Sequence, residues 1–242
     1  MLNRVPITLV AIFFFSCAGF AANSGVPPKA VQSAPVDKGW WMERHEKRVQ
    51  QAASGKDVAL IFIGDSITQQ WERSYKIWNQ YYRPYGALNL GFSGDRTENV
   101  LWRLQNGEIK NLSPRVAVIL IGTNNTGHRQ DDPADTALGI RKIIDLSRAE
   151  MPETKILLLG IFPRGAIPDD PKRVINRKIN ALIKEFADNE HVYYLNINDR
   201  FLENDGTLSK KIMPDLLHLS EEGYQIWADA MKPLLTKLMT QQ

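Results

Sequence analysis

Val58-Ala-Leu-Ile-Phe-Ile63 runs without a polar break into Gly64-Asp65-Ser66-Ile67-Thr68. An apolar run of this length, ending at a glycine, suits a strand buried on both faces. The pattern recurs outward along the chain. Ala87–Leu90, Val116–Ile121, Lys155–Leu159 and Val192–Leu195 read as four further strands. Helical stretches separate them: one through Trp71 and Trp78, then Thr97–Gln105, Pro133–Glu150 and Pro171–Asp188, with a last helix over Ser220–Met239. In that last segment Tyr224, Trp227, Met231, Leu234 and Leu238 recur at helical spacing. Repeated strand–helix units predict an α/β fold: a three-layer, doubly wound domain on a five-stranded, mostly parallel sheet. Such sheets bind ligands beyond the carboxyl ends of their strands. Functional residues are therefore expected just after each strand.

Ahead of the first strand the chain changes character. Met1–Arg4 carries one positive charge, Val5–Phe15 is almost wholly apolar, and Ser16, Cys17, Ala18, Gly19, Ala21 and Ala22 supply small residues. This is the layout of a secretory signal peptide over residues 1–22, cleaved after Ala21 or Ala22. The apolar run falls short of the ~20 residues of a membrane span, so no stable span is expected after cleavage. Export to the periplasm or the exterior follows. Cys17, the one cysteine, offers lipoprotein anchoring as a second reading, although Phe14 and Phe15 suit that poorly. Residues 23–38, rich in Ala, Pro, Ser, Gly and Val, read as a linker. Gly39–Gln51 reads as a charged helix with an aromatic anchor, opening a catalytic domain over 39–242.

The 242 residues are 43% hydrophobic and 24% charged, an ordinary globular composition. A formal net charge of +3, with acids and bases interleaved, lacks the basic stripe of a nucleic-acid binder. The four histidines are scattered without metal-ligand spacing, and no phosphate- or dinucleotide-binding glycine pattern appears. No metal or cofactor is expected.

Each segment after a strand carries one polar residue type with catalytic use and one with a plain structural use. Ser66 would project from a sharp strand-to-helix turn, and a serine there equally caps the helix. Gly91-Phe-Ser-Gly-Asp95 could offer a backbone N–H to a ligand, or simply turn. Gly122-Thr-Asn-Asn125 places a side-chain amide, a competent oxyanion donor, at the same edge, or caps a helix. Asp215-Leu-Leu-His218 spaces a carboxylate and an imidazole one helical turn apart. The carboxylate can then fix Nδ1–H and leave Nε2 to accept a serine proton. His45 lies on the entry helix and His191 at a helix-to-strand junction. His128, Arg129, Arg164 and the Trp71–Trp78 segment are candidate pocket residues, with core packing the preferred reading for both tryptophans.

Taken together, Gly-Asp-Ser at 64–66, Gly94, Gly-Thr-Asn-Asn at 122–125 and Asp-x-x-His at 215–218 resemble the sequence blocks of the SGNH, or GDSL-type, hydrolases. Within that family the likeness is strongest to the intracellular acetylhydrolases of platelet-activating factor, through Ala87–Gly91, Asn99–Leu104, Asn106–Glu108, Leu159–Gly165 and Leu217–Ser220. The resemblance implies Ser66 as nucleophile, His218 as base and Asp215 as its orienter. It further implies an oxyanion hole from the Ser66 and Gly94 N–H groups and the Asn124 side chain. It implies short-chain ester hydrolysis, with an acetylated sugar or a platelet-activating-factor-like lipid as the small ester substrate, and hints at a homodimer. Two alternatives stand beside it: a lysophospholipase or thioesterase for longer acyl chains, and a non-catalytic exported glycan-binding module.

Overall fold

The computed structural model describes residues 25–54 and 57–240. The signal-peptide segment 1–22 and Cys17 lie outside the described residues. In chain order the elements are α1 (Gly39–Ser54), β1 (Leu60–Gly64), α2 (Ser66–Gln69), α3 (Tyr75–Tyr81), β2 (Leu88–Gly91), α4 (Thr97–Arg103), β3 (Val116–Leu120), α5 (Pro133–Glu150), β4 (Lys155–Leu159), α6 (Pro171–Ile183), β5 (Val192–Leu195) and α7 (Glu221–Thr240). The strands form one sheet in the order β2-β1-β3-β4-β5. Every pairing is parallel, so the sheet is wholly rather than mostly parallel.

Side-chain alternation along the central strands divides the core in two. Leu60, Phe62, Val118, Leu120 and Leu157 face one side, against Trp71, Tyr224, Trp227 and Met231 from the α2–α3 region and α7. Ile61, Ile63, Ile119, Ile156 and Leu158 face the other, against Val100, Ile140, Ile143 and Ile179 from α4, α5 and α6. These faces give the three expected layers, and both explain why the strands carry no polar alternation. Trp71 is fully buried among the rings of Trp78, Tyr82, Tyr224 and Trp227, so it packs the core.

Helix starts follow their capping chemistry. Asp132 and Asp170 accept backbone N–H groups at the first turns of α5 and α6, each followed by proline at the first helical position. Three expected helices are shorter than the apolar pattern suggests; one is α6, which passes into a 3-10 turn at Lys184–Phe186. The Trp71–Trp78 helix breaks into α2, a 3-10 turn at Gln70–Glu72 and α3. The helix after β2 leaves α geometry beyond Arg103, where Gly107 takes φ +99°. The described part of the 23–38 segment is no free tether. Ala30 and Val31 are buried, Thr97 Oγ1 donates to the Ala30 carbonyl at 2.8 Å, and Asn99 Nδ2 donates to that of Ala34 at 3.0 Å.

The strand order reverses between β1 and β3, the switch point at which α/β sheets of this order open a crevice. The turn carrying Ser66 leaves β1 at that point.

Candidate active site

Ser66 is the first residue of α2, two positions beyond the end of β1, and is buried. Asp65 caps the helix by accepting the Ile67 N–H at 2.9 Å. The cap so anticipated for Ser66 is thus supplied by its neighbour, and the Ser66 hydroxyl stays available. Full burial pushes the Asp65 carboxyl up to about 7, although the Ile67 N–H opposes that rise.

Sheet register sets what flanks this turn. Gly64 pairs with Gly91 of β2 on one side and with Leu120 of β3 on the other. The loops 92–95 and 122–125 therefore emerge on either side of Ser66. Gly94 sits at φ +80° in a turn closed by Asp95 N–H to Phe92 O at 3.2 Å. A positive φ at the third turn position favours glycine. Asn124 Nδ2 donates to the Asp95 carbonyl at 2.9 Å, bridging the two loops. A carboxamide nitrogen carries two hydrogens, so one N–H remains for a ligand.

The Phe92–Asp95 loop rests on a buried charge network. Asp95 accepts from Trp41 Nε1 and Arg103 Nε, each at 2.7 Å. Arg103 is fully buried, pairs also with Glu108, and lies 3.9 Å above the Phe92 ring. Burial pushes the Asp95 carboxyl up, and the Arg103 charge and Trp41 N–H oppose it.

Asp215 and His218 lie in a turn ahead of α7, not on a helix. The one-turn helical spacing expected from sequence is replaced by a capping turn. Asp215 Oδ1 accepts the N–H groups of Leu217 (3.1 Å) and His218 (2.7 Å), while Leu216 adopts φ +60°. The other oxygen, Oδ2, is 2.7 Å from His218 Nδ1. Nδ1–H therefore donates to the carboxylate, and Nε2 is the ring's acceptor. Nε2 lies 2.9 Å from Ser66 Oγ, across 152 residues of sequence. Burial works against ionised Asp215, yet the His218 ring and the two N–H groups outweigh it and hold the carboxyl below its ordinary range.

A further support was not anticipated from sequence. Gly165 N–H donates to the Leu216 carbonyl at 2.9 Å, tying the loop after β4 to the middle of Asp-x-x-His. One stripe of α6 holds that loop in turn. Asn180 bonds both N–H and C=O of Ile161, and Asn176 Nδ2 donates to Phe162 O. Arg173 donates to the carbonyls of Arg164, Gly165 and Gly206 at 3.0, 2.5 and 2.6 Å. Gly165 takes φ +74°, and a Cβ there would meet Asp170 Cγ at 2.3 Å. The only hint in the sequence is three polar residues at helical spacing on a helix that also buries Ile179 and Ile183.

Of the other candidates, Arg164 is brought to the edge of the site. Its Nη1 donates to Thr123 O at 2.8 Å, and Asp65 and Asp215 both pull on its charge. His128 accepts from Arg96 at 3.3 Å; burial first, then the charges of Arg96, Arg164, Arg129 and Lys172, lower its pKa. Arg129 is committed to Glu98 and Asp131. His45 is buried against the Asn106 carbonyl, and His191 stands exposed beside Glu190. Among the described residues, no three His, Cys, Asp or Glu side chains converge as metal ligands, and no helix is long and apolar enough to cross a membrane.

Comparison with known proteins identifies relatives of this chain. A bovine (Bos taurus) relative, platelet-activating factor acetylhydrolase IB subunit alpha1, is 37% identical over 220 residues, covering 90% of this chain and 92% of its own. The rat (Rattus norvegicus) alpha2 subunit is 37% identical over 219 residues, covering 90% and 91%. Two solved structures share the fold. A GDSL-like lipase from Bacteroides thetaiotaomicron matches with TM-score 0.67 at 22% identity, over 80% of this chain and 97% of that one. An acetylxylan esterase from Geobacillus stearothermophilus matches with TM-score 0.60 at 20% identity, over 76% and 94%. The model of the GDSL-like lipase/acylhydrolase family matches residues 62–226, from inside β1 to inside α7, and the chain belongs to that family of ester hydrolases.

Proposed function

We propose that this acylhydrolase is a serine esterase that cleaves short-chain esters, chiefly acetyl esters, through an acyl-enzyme on Ser66. The observation that carries the reading is the relay Asp215 Oδ2–His218 Nδ1 at 2.7 Å and His218 Nε2–Ser66 Oγ at 2.9 Å. In the first half-reaction Ser66 Oγ attacks the ester carbonyl carbon while His218 Nε2 takes its proton. The carbonyl electron pair moves onto oxygen, where the Ser66 and Gly94 N–H groups and the second Asn124 N–H receive it. Collapse expels the alcohol with the proton held by His218. Water, deprotonated by the same imidazole, then releases the acid and restores Ser66. Asp215 stays ionised throughout and orients the ring.

The preference for acetyl is carried over from names: relatives called acetylhydrolases and a structural neighbour called an acetylxylan esterase. The ester substrate is accordingly an acetylated sugar or a lipid resembling platelet-activating factor. The signal-peptide-like composition of residues 1–22 is what favours an activity outside the cytoplasm in this reading. Turnover of 4-nitrophenyl acetate tests the mechanism: Ser66→Ala is expected to abolish it, and unchanged turnover would sink the nucleophile assignment. A series of 4-nitrophenyl esters from acetate to decanoate tests the acyl length. A rate rising steadily with chain length would replace the acetylesterase reading by a lysophospholipase or thioesterase.

A further inference from the structure

Arg164 reaches the edge of the active site, yet the relay and the oxyanion donors make no use of it. It belongs to the loop after β4, and it spans the two halves of the site. At its root, the Gly165 N–H donates to the Leu216 carbonyl within the Asp215–His218 turn. At its tip, Nη1 donates to Thr123 O at 2.8 Å and to Thr123 Oγ1 at 3.2 Å, next to the oxyanion donor Asn124. The guanidinium lies against the Gly127 backbone: a Cβ on Gly127 would meet Nη1 at 2.6 Å and Nη2 at 3.2 Å. Asp65, ahead of Ser66, and Asp215, behind His218, both act on its charge.

Bracing Thr123 takes only Nη1. The guanidinium is a rigid fork of donors, so Nε–H and the Nη2 hydrogens remain. They have no protein partner among the described residues and are not sealed from solvent. Other arginines near this edge of the sheet are spent: Arg129 on Glu98 and Asp131, Arg173 on three carbonyls. Arg164 makes no ion pair among the described residues, and the burial of its cation outweighs the pull of Asp170, Asp65 and Asp215. The charges that act most on nearby His128, those of Arg96, Arg164, Arg129 and Lys172, are all cations, so the adjoining rim is positive. A half-buried, undercompensated cation with an open fork beside the reacting serine suits an oxyanion of the substrate.

We propose that Arg164 sets the enzyme's preference for substrate charge, its Nε and Nη2 receiving a carboxylate or phosphate on the alcohol side of the ester. An acetyl group has no room for a charge of its own, so in an acetyl ester the anion belongs to the alcohol. The inference rests on the esterase reading and carries it from the length of the acyl group to the charge of the leaving alcohol. Arg164 binds and orients; the proton transfers stay with Ser66 and His218.

The test compares meta- and para-acetoxybenzoate, and the corresponding acetoxyphenyl phosphates, with the neutral acetoxybenzamides. The unaltered enzyme is expected to favour an anionic series over the neutral one by about tenfold in kcat/KM, chiefly through KM. Whichever series leads tells carboxylate from phosphate. In Arg164→Gln, with its melting temperature as the folding control, that anionic-to-neutral ratio is expected to fall about tenfold; comparing ratios cancels the intrinsic reactivity of the esters. Gly127→Ala keeps the arginine but pushes its guanidinium aside, and is expected to lower the ratio in part. A ratio near one in the unaltered enzyme, or a ratio that Arg164→Gln leaves unchanged, would overturn the proposal. An equal loss on charged and neutral esters would likewise overturn it and make Arg164 a brace for the Asn124 loop. Hydrolysis of the neutral esters by the unaltered enzyme reports on the esterase reading by itself, so failure of the charge preference is distinguishable from failure of that reading.

Discussion

The two halves of the candidate site are held by opposite means. The Phe92–Asp95 loop, which carries Gly94 and accepts from Asn124, rests on Arg103, Asp95 and Glu108, all essentially without solvent. The Asp215–His218 turn lies at the surface: the Asp215 side chain is 57% exposed and that of His218 28%. It is held by backbone hydrogen bonds through Gly165 rather than by buried charge. The chemistry rationalises the division. Donors for a developing oxyanion act best when fixed in a dry setting, because no reorganisation is then needed as charge appears. A base that must exchange protons with water and release an alcohol needs access to solvent.

Removing charge from the buried half should have the largest effect on stability. Arg103→Met leaves Asp95 and Glu108 buried without their cation, and breaking such a pair costs about 3–5 kcal/mol. For a domain of this size that lowers the melting temperature by roughly 10 °C. A shift of only a degree or two would mean that the network is not what holds the loop. Asn124→Ala removes one donor and should lower kcat by about 100- to 1000-fold with little change in KM. An equal loss in KM would reassign Asn124 to ground-state binding.

The exposed half should tolerate more. Where the orienting carboxylate is buried, its conversion to an amide costs about 10⁴-fold. Water can partly replace the exposed Asp215, so Asp215→Asn should cost closer to about 100-fold. A full 10⁴-fold loss would show that the turn closes over during catalysis. A further effect concerns pH. Asp65 is pushed up to about 7 by burial, so the folded state binds a proton that the unfolded state releases near pH 4. That contribution is complete below pH 4 and is lost as pH rises through about 7. Asp65→Asn keeps the cap and should flatten the fall in melting temperature between pH 5 and 8. An unaltered slope would place the titration elsewhere. Asp215 acts with the opposite sign: its depressed carboxyl contributes stability above pH 4 that is lost on further acidification.

The halves also differed in how far sequence revealed them. Ser66, Asp215 and His218 were legible because strand-end position and Asp-x-x-His spacing are local patterns. The parallel sheet was legible because five apolar runs admit few alternatives. Arg103 and Glu108 were not, since charged residues on an amphipathic stretch ordinarily face solvent, and only tertiary packing inverts that. The same holds for Arg173, Asn176 and Asn180, buried on a helix that reads as a surface helix. Residues 29–34 have linker composition, but their carbonyls meet Thr97 and Asn99 on α4, contacts invisible before the fold exists. The Asp215–His218 spacing suits a helix and a turn alike, because an Asp-capped turn brings i and i+3 together as effectively as a helix does.

Identifying the covalently labelled residue tests the central claim most directly. Treatment with diethyl 4-nitrophenyl phosphate, followed by peptide mapping, should place one phosphoryl adduct on Ser66, with esterase activity lost in step with labelling. Complete inactivation with the adduct on another residue, or full turnover by protein labelled at Ser66, would contradict the account.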